Sequence, residues 1–152
     1  MRNRSKMTRG FTATTIGLAL VAFCTVLFWP QSQPARAAGP PATANISCKV
    51  LWVHDGDTLR CEGYRKSTRL YGIDSPEMPG ACREGRSCVP GDPHASKAKL
   101  QQLIAGRAVR CQHIETDRYD RPVMRCWADQ TDVSCAMVAS GHAVERYGKL
   151  EC

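Results

Sequence analysis

Two short acidic runs hold the residues best suited to chemistry, His54-Asp55-Gly56-Asp57-Thr58 and Ile73-Asp74-Ser75-Pro76-Glu77. Taken singly each is ordinary, because Asp-Gly is a common turn and Asp-Ser-Pro a common strand exit. Together they say more. Consecutive antiparallel strands can bring Asp57 beside Asp74, and two carboxylates in contact repel unless a cation joins them. Oxygen ligands alone select a hard ion, Ca2+ or Mg2+. The spacing is not that of an EF-hand loop. Arg69 precedes Asp74, and Arg121 lies in a second polar turn, Asp117–Pro122. Each arginine alone reads as a solvated surface charge. A metal with two arginines suits in-line displacement at a phosphodiester, stabilising charge on the phosphorus oxygens. Glu77 is the carboxylate left over for proton work on the attacking water. In a flat strand Arg69 and Asp74 would point to opposite faces, so their convergence requires a bend or bulge before Pro76.

Other templates fail. The sequence holds no G-x-S-x-G, Walker loop, G-x-G-x-x-G or H-E-x-x-H. Trp52, Trp127 and Tyr71 sit in strand patterns and are expected to pack rather than to stack on bases.

The elements that must position these residues follow from periodicity and breakers. Strands are expected at 46–53, 58–62 and 68–73, the first two joined by a tight turn in which Asp55-Gly56 supplies left-handed positions. A breaker-rich surface loop covers 78–91. Asp92 should cap a helix that stops at Gly106, with Leu100, Leu103 and Ile104 on its apolar face. Strands at 108–114 and 123–128 surround a polar turn, and Asp132 caps a short helix ending at Gly141. Short turns between consecutive strands imply a small antiparallel sheet. The natural closure is mainly β with α (α+β), a five-stranded OB-fold barrel with two or three packed helices.

The chain of 152 residues suits one globular domain. Its +7 charge is misleading, because residues 1–37 hold Arg2, Arg4, Lys6, Arg9 and Arg36 and no acid. The remainder is nearly neutral, so the high pI alone does not argue for a nucleic-acid partner. Residues 1–37 run from a cationic start through an apolar stretch to Ala35-Arg36-Ala37. That is the order of a secretory signal peptide, with an uncleaved N-terminal anchor as the rival. Residues 38–45 read as a linker and 46–152 as the domain. Either way the domain is exported, secreted or periplasmic, with membrane attachment only if the leader is retained. No stable protein partner is implied.

Eight of the nine cysteines, all but Cys24, lie in the exported part, an even number that suggests disulfides. Eight cysteines allow 105 connectivities. Neighbourhood suggests Cys48–Cys61, Cys82–Cys88, Cys111–Cys126 and Cys135–Cys152. Zinc is the rival, disfavoured by scattered histidines and the lack of C-x-x-C.

The runs Val53–Leu59, Thr68–Glu77 and Asp117–Arg121, in that order and spacing, resemble the staphylococcal nuclease (thermonuclease) family. The resemblance covers most of 46–147. It implies an OB-fold nuclease, usually calcium-dependent, acting on DNA and RNA. By position, Asp57 and Asp74 resemble its carboxylate metal ligands, and Ser75 stands where a backbone carbonyl reaches the metal. Asp55 resembles an outer-sphere acid and Glu77 the general base. Arg69 and Arg121 resemble the phosphate-binding arginines, and Tyr119 and Tyr147 the tyrosines lining the nucleotide site. Asp120 departs from the family's usual Gly, and its charge beside Arg121 would weaken phosphate binding. The cysteines after Glu77 are another departure, and a Cys135–Cys152 bond would replace the tether of the family's final helix. The expected function is a secreted metal-dependent nuclease. The alternative is an OB-fold module that binds nucleic acid or protein without cutting.

Overall fold

The computed structural model describes residues 39–152, so the expected leader at 1–37 lies outside the described residues. In chain order come β1 (Ile46–Ser47), β2 (Val50–Val53), β3 (Thr58–Cys61), β4 (Thr68–Leu70) and β5 (Ile73–Asp74). Helix α1 (Pro93–Ile104) follows, then β6 (Val109–Thr116), β7 (Pro122–Ala128), β8 (Thr131–Asp132), α2 (Val133–Ala139) and β9 (Val144–Glu145). All five expected strands are present, two of them divided. The first breaks into β1 and β2, and the third into β4 and β5. The result is a mainly β, α+β domain of the OB type, with a curled sheet and two helices.

The sheet runs β1-β6-β7-β4-β3-β2, with β8 pairing the end of β7 at Trp127 and Ala128, while among the described residues β5 pairs with β9 alone. One pairing departs from the antiparallel expectation. β4 and β7 are parallel, with Arg69 opposite Val123 and Leu70 opposite Met124. A parallel pair needs a long crossover, and the stretch containing α1 and β6 supplies it. Part of the expected linker also packs on the domain, since Ala44 is buried and its carbonyl accepts from Arg110 Nε at 3.2 Å.

Capping follows the sequence closely. Asp92 accepts from the backbone N–H groups of His94 (2.8 Å) and Ala95 (3.3 Å) at the start of α1. Asp132 accepts from Cys135 N at 3.0 Å at the start of α2. Such caps satisfy helix donors that have no partner in the first turn. Between helices and sheet lie Leu59, Leu70, Ile73, Leu100, Met124 and Met137, all fully buried. Two buried polar bonds tie the helices to loops near the site. Ser96 Oγ donates to the His142 carbonyl (2.6 Å) and Ser134 Oγ to the Tyr71 carbonyl (2.9 Å).

Two glycines shape the neighbourhood of the acidic runs. Gly56 does not use a left-handed conformation, contrary to the sequence expectation. It is needed for close approach instead, because a Cβ there would lie 1.8 Å from Ser96 Oγ and 2.8 Å from Ser75 Cβ. Gly72 does have a positive φ of 77°, and a Cβ there would meet Leu150 Cδ2 at 2.5 Å. Its turn separates β4 from β5.

The four disulfides match the neighbourhood pairing, Cys48–Cys61, Cys82–Cys88, Cys111–Cys126 and Cys135–Cys152. Cys111 and Cys126 lie opposite one another on β6 and β7, both fully buried. Closing a 15-residue separation removes chain entropy from the unfolded state worth about 3 kcal/mol. The paired substitution Cys111→Ala/Cys126→Ala should therefore lower unfolding free energy by roughly 2–4 kcal/mol. Equilibrium urea unfolding measures this, and a loss well under 1 kcal/mol would assign stability to the surrounding core instead.

Candidate active site

The β2–β3 corner is closed by His54 N donating to the Thr58 carbonyl at 2.8 Å. Inside it Asp55 Oδ1 accepts from Asp57 N at 3.0 Å, an Asx turn. This turn points the Asp57 side chain inward, where it is 3% exposed. Thr58 Oγ1 donates to Asp57 Oδ1 (2.8 Å), and Ser75 N donates to Asp57 Oδ2 (3.0 Å). The hairpin corner and the exit of β5 therefore meet, as the sequence suggested.

Arg69 bridges the two acids. Its Nη2 lies 2.8 Å from Asp74 Oδ1 and 3.3 Å from Asp57 Oδ2, and it also donates to the Ile73 carbonyl at 3.2 Å. The bend at Tyr71-Gly72 solves the face problem of a flat strand. It ends β4 after Leu70 and restarts the chain as β5, turned so that Asp74 faces the Arg69 side chain.

Asp74 is fully buried and has two further cationic partners. Arg86 Nη2 reaches its Oδ1 at 2.7 Å and its Oδ2 at 3.0 Å, and Arg146 Nη1 reaches Oδ2 at 3.1 Å. The other end of Arg86, Nη1, binds Glu77. Arg69 thus touches both acids, whereas Arg86 and Arg146 add positive charge at Asp74 and not at Asp57. Sequence reading singled out neither Arg86 nor Arg146. The only signals are local: Arg86 lies between Cys82 and Cys88, and Arg146 precedes Tyr147. Which acid either would meet depends on folding.

Of the remaining sequence-chosen residues, Arg121 and Tyr119 stand apart from this cluster, whereas Tyr147 and Ser75 touch it. Arg121 is held by Asp117, through Nε at 2.8 Å and Nη2 at 2.7 Å. Asp120 adopts the left-handed conformation that the turn requires, φ 60°. Its carboxylate pairs with Lys66 at 3.4 Å and not with Arg121, so the expected interference comes from Asp117 instead. Tyr119 is exposed beneath Arg83, Arg118 and Arg121, each about 5 Å from its ring, and Arg83 Nη1 donates to its hydroxyl at 2.6 Å. Tyr147 is more exposed still, with Arg69 and Arg146 over its ring at 5.3 and 5.2 Å. Ser75 is buried, and its N–H is the group that Asp57 uses. Trp127 packs as expected, but Trp52 does not. It is 50% exposed with Arg60 over its ring.

A groove of about 430 Å³ runs past Thr58, lined by His54, Arg60, Arg65, Lys66, Tyr119 and Arg121. Thr58 joins it to the acid cluster through the bond to Asp57. The domain's modest net charge is therefore unevenly spread, with acids gathered inside and cations along the groove.

Protonation follows from burial. Burial pushes the Asp57 carboxyl up to about 7, overcoming the opposing pull of Arg69 and of the Thr58 and Ser75 hydrogen bonds. Burial works in the other direction on Arg69, yet Asp57 and Asp74 outweigh it and hold the guanidinium above its ordinary value. Burial also opposes ionisation of Asp117, but the Arg121 backbone and side-chain bonds lower it overall.

A family model described as staphylococcal nuclease homologue matches residues 67–151, more than half of the chain. The "Succinoglycan biosynthesis protein ExoI" of Rhizobium meliloti (strain 1021) is 35% identical over 96 residues, 62% of this chain and 49% of that one. The "Thermonuclease" of Staphylococcus hyicus is 26% identical over 122 residues, 76% of this chain and 69% of that one. An "Uncharacterized endonuclease" of Escherichia coli O157:H7 is 33% identical over 107 residues, 68% of this chain and 63% of that one. The matched span covers less than two thirds of the first and third of these relatives.

The raised Asp57 value makes a stability prediction. Between about 4 and about 7 the folded state holds a proton on Asp57 that the unfolded state has released, so this residue's contribution falls as pH rises through that window. In chelator, the stability difference between Asp57→Asn and the parent should therefore grow in the variant's favour from pH 4 to pH 7 and then level off. Thermal unfolding across that range checks it, and a pH-independent difference would refute it.

Proposed function

Because the chain belongs to the family of staphylococcal nuclease homologues, we propose that it is an exported, metal-dependent nuclease that hydrolyses phosphodiester bonds of DNA or RNA. The observation that carries this reading is the meeting of Asp57 and Asp74 at one guanidinium, Arg69, beside a cationic groove that Arg121 and Tyr119 line. The thermonuclease and endonuclease names of two relatives support the same activity.

The donor set suits a hard divalent ion. Asp57 and Asp74 offer only oxygen, and Ser75 adds a backbone carbonyl next to Asp74 in the chain. Among the described residues no three His, Cys, Asp or Glu side chains converge as a metal cluster, so two carboxylates and a carbonyl are the donors this chain would offer. Asp57, Asp74 and the Ser75 carbonyl would hold the ion, calcium in the first instance. When bound it supplies a Lewis-acid charge at the phosphoryl oxygen.

The chain's own groups do the rest. Arg69, fixed by two carboxylates and a carbonyl, is preorganised to receive negative charge on the phosphorus oxygens. Arg121 serves the same charge from the groove side once it exchanges Asp117 for phosphate. Glu77 takes the proton from the attacking water. Tyr119 and Tyr147, both exposed, offer faces for bases, and the groove cations follow the strand's phosphates.

Four disulfides suit an oxidising compartment. They support export of the domain, with residues 1–37 as its leader and 38–45 as a linker. A second reading, a binding module that does not cut, shares the groove but has no use for Glu77.

Digestion of plasmid and of RNA with calcium or with chelator tests the assignment, and equal cleavage in both would remove the metal. Glu77→Gln should lower kcat by ~10²–10⁴ with the fold intact, and unchanged turnover would remove it as base. Arg121→Ala should lower kcat by at least ~10². A loss confined to KM would make Arg121 a substrate-binding group only.

A further inference from the structure

We propose that Arg86 is a resident counter-cation that competes with the divalent ion for Asp74, so that the Cys82–Cys88 loop sets the metal affinity of the site. The proposal rests on the reading of Asp57 and Asp74 as metal ligands, and the crowding of one carboxylate carries it. Asp74 receives Arg69 and Arg86 on Oδ1 and Arg86 and Arg146 on Oδ2, four contacts between 2.7 and 3.1 Å. A carboxylate has about four lone-pair sites, so Asp74 cannot ligate an ion until one guanidinium withdraws.

Arg86 is the one built to withdraw. Arg69 belongs to β4 and is also tied to Asp57 and the Ile73 carbonyl. Arg146 also donates to the Ser87 carbonyl at 2.8 Å, and its backbone N–H is bonded to the Gly72 carbonyl at 2.9 Å. The side chain of Arg86 is bonded only to the carboxylates of Asp74 and Glu77. Its Nε is buried with no partner, an unmet donor that swinging outward would hydrate. It also lies between α1 and β5 in a stretch without helix or strand, 78–91. The Cys82–Cys88 bond keeps that excursion short, so Arg86 stays near the acids after it leaves.

Charge balance points the same way. Asp57, Asp74 and Glu77 meet Arg69, Arg86 and Arg146 one charge for one. Adding a divalent ion while all three arginines stay therefore overshoots. The same withdrawal frees the Glu77 oxygen that Arg86 holds, so loading the metal and releasing the base become one event.

Calcium titration calorimetry on the purified protein tests this. Arg86→Gln should bind calcium about 10-fold or more tightly than the parent, within the usual span of coupling between two ligands. Arg86→Lys, which keeps charge but loses the fork, should fall between them. Arg83→Gln removes the same charge from the same loop, but at a side chain facing Tyr119, and should change affinity by no more than about 2-fold because exposed charges are screened. Equal or weaker binding by Arg86→Gln, or equal tightening by Arg83→Gln, would overturn the competition. The metal reading would survive that result if Asp57→Asn abolishes calcium binding. Absence of calcium binding in both the parent and Arg86→Gln would overturn both. Should Arg86→Gln fail to fold, the parent protein answers alone. Calcium should speed amide hydrogen exchange across 78–91, and unchanged or slower exchange would refute the withdrawal.

Discussion

A fully buried carboxylate, Asp74, organises this domain. Removing a charge from water is costly unless it is paired and hydrogen-bonded, and Asp74 meets that demand with three guanidinium groups that stand 5, 12 and 72 residues away in the chain. Each donor depends on a different structural device. Arg69 arrives because Gly72 turns the chain between β4 and β5. Arg146 arrives because β9 pairs with β5, with Glu145 opposite Ile73. Arg86 arrives because a disulfide-closed loop folds back over the acids.

The surrounding architecture serves that arrangement. Gly56 lets the β2–β3 corner sit against Ser75 and Ser96, so Asp57 can reach the Ser75 N–H. Ser96 in turn anchors α1 to the segment before β9 through the His142 carbonyl. A shift of α1 would therefore disturb both the acid corner and the strand that carries Arg146. Disulfides from the β1–β2 link to β3 and across β6–β7 stiffen the curled sheet without touching the site, while Cys82–Cys88 constrains a loop that does touch it. The cross-linked sheet thus lies beneath Asp57 and Asp74, whereas Arg86 reaches Asp74 from a loop.

A nearly neutral domain can still present a strongly cationic face. Net charge reports the sum, whereas binding responds to the local field. Acids are clustered and largely neutralised inside, and Arg60, Arg65, Lys66 and Arg121 line one groove. Asp117 occupies Arg121 and Asp120 occupies Lys66, so two groove cations have acidic partners within the domain.

Local chemistry made much of this legible before folding. Helix caps at Asp92 and Asp132, the five strands and the disulfide neighbours are settled by residues close in the chain, where turn and capping preferences act. The pairing of Asp57 with Asp74 was also legible, since a hairpin fixes what its neighbour strand can meet. Tertiary structure alone decided the rest. Trp52 is open rather than packed, because one face of a strand is buried only if another element covers it. Gly56 serves close approach, which no turn preference encodes. The parallel β4–β7 pair and the arrival of Arg86 and Arg146 at Asp74 join residues up to 72 positions apart. Such contacts arise from the path of the whole chain, and an arginine's spacing in sequence carries no information about which buried acid it will satisfy.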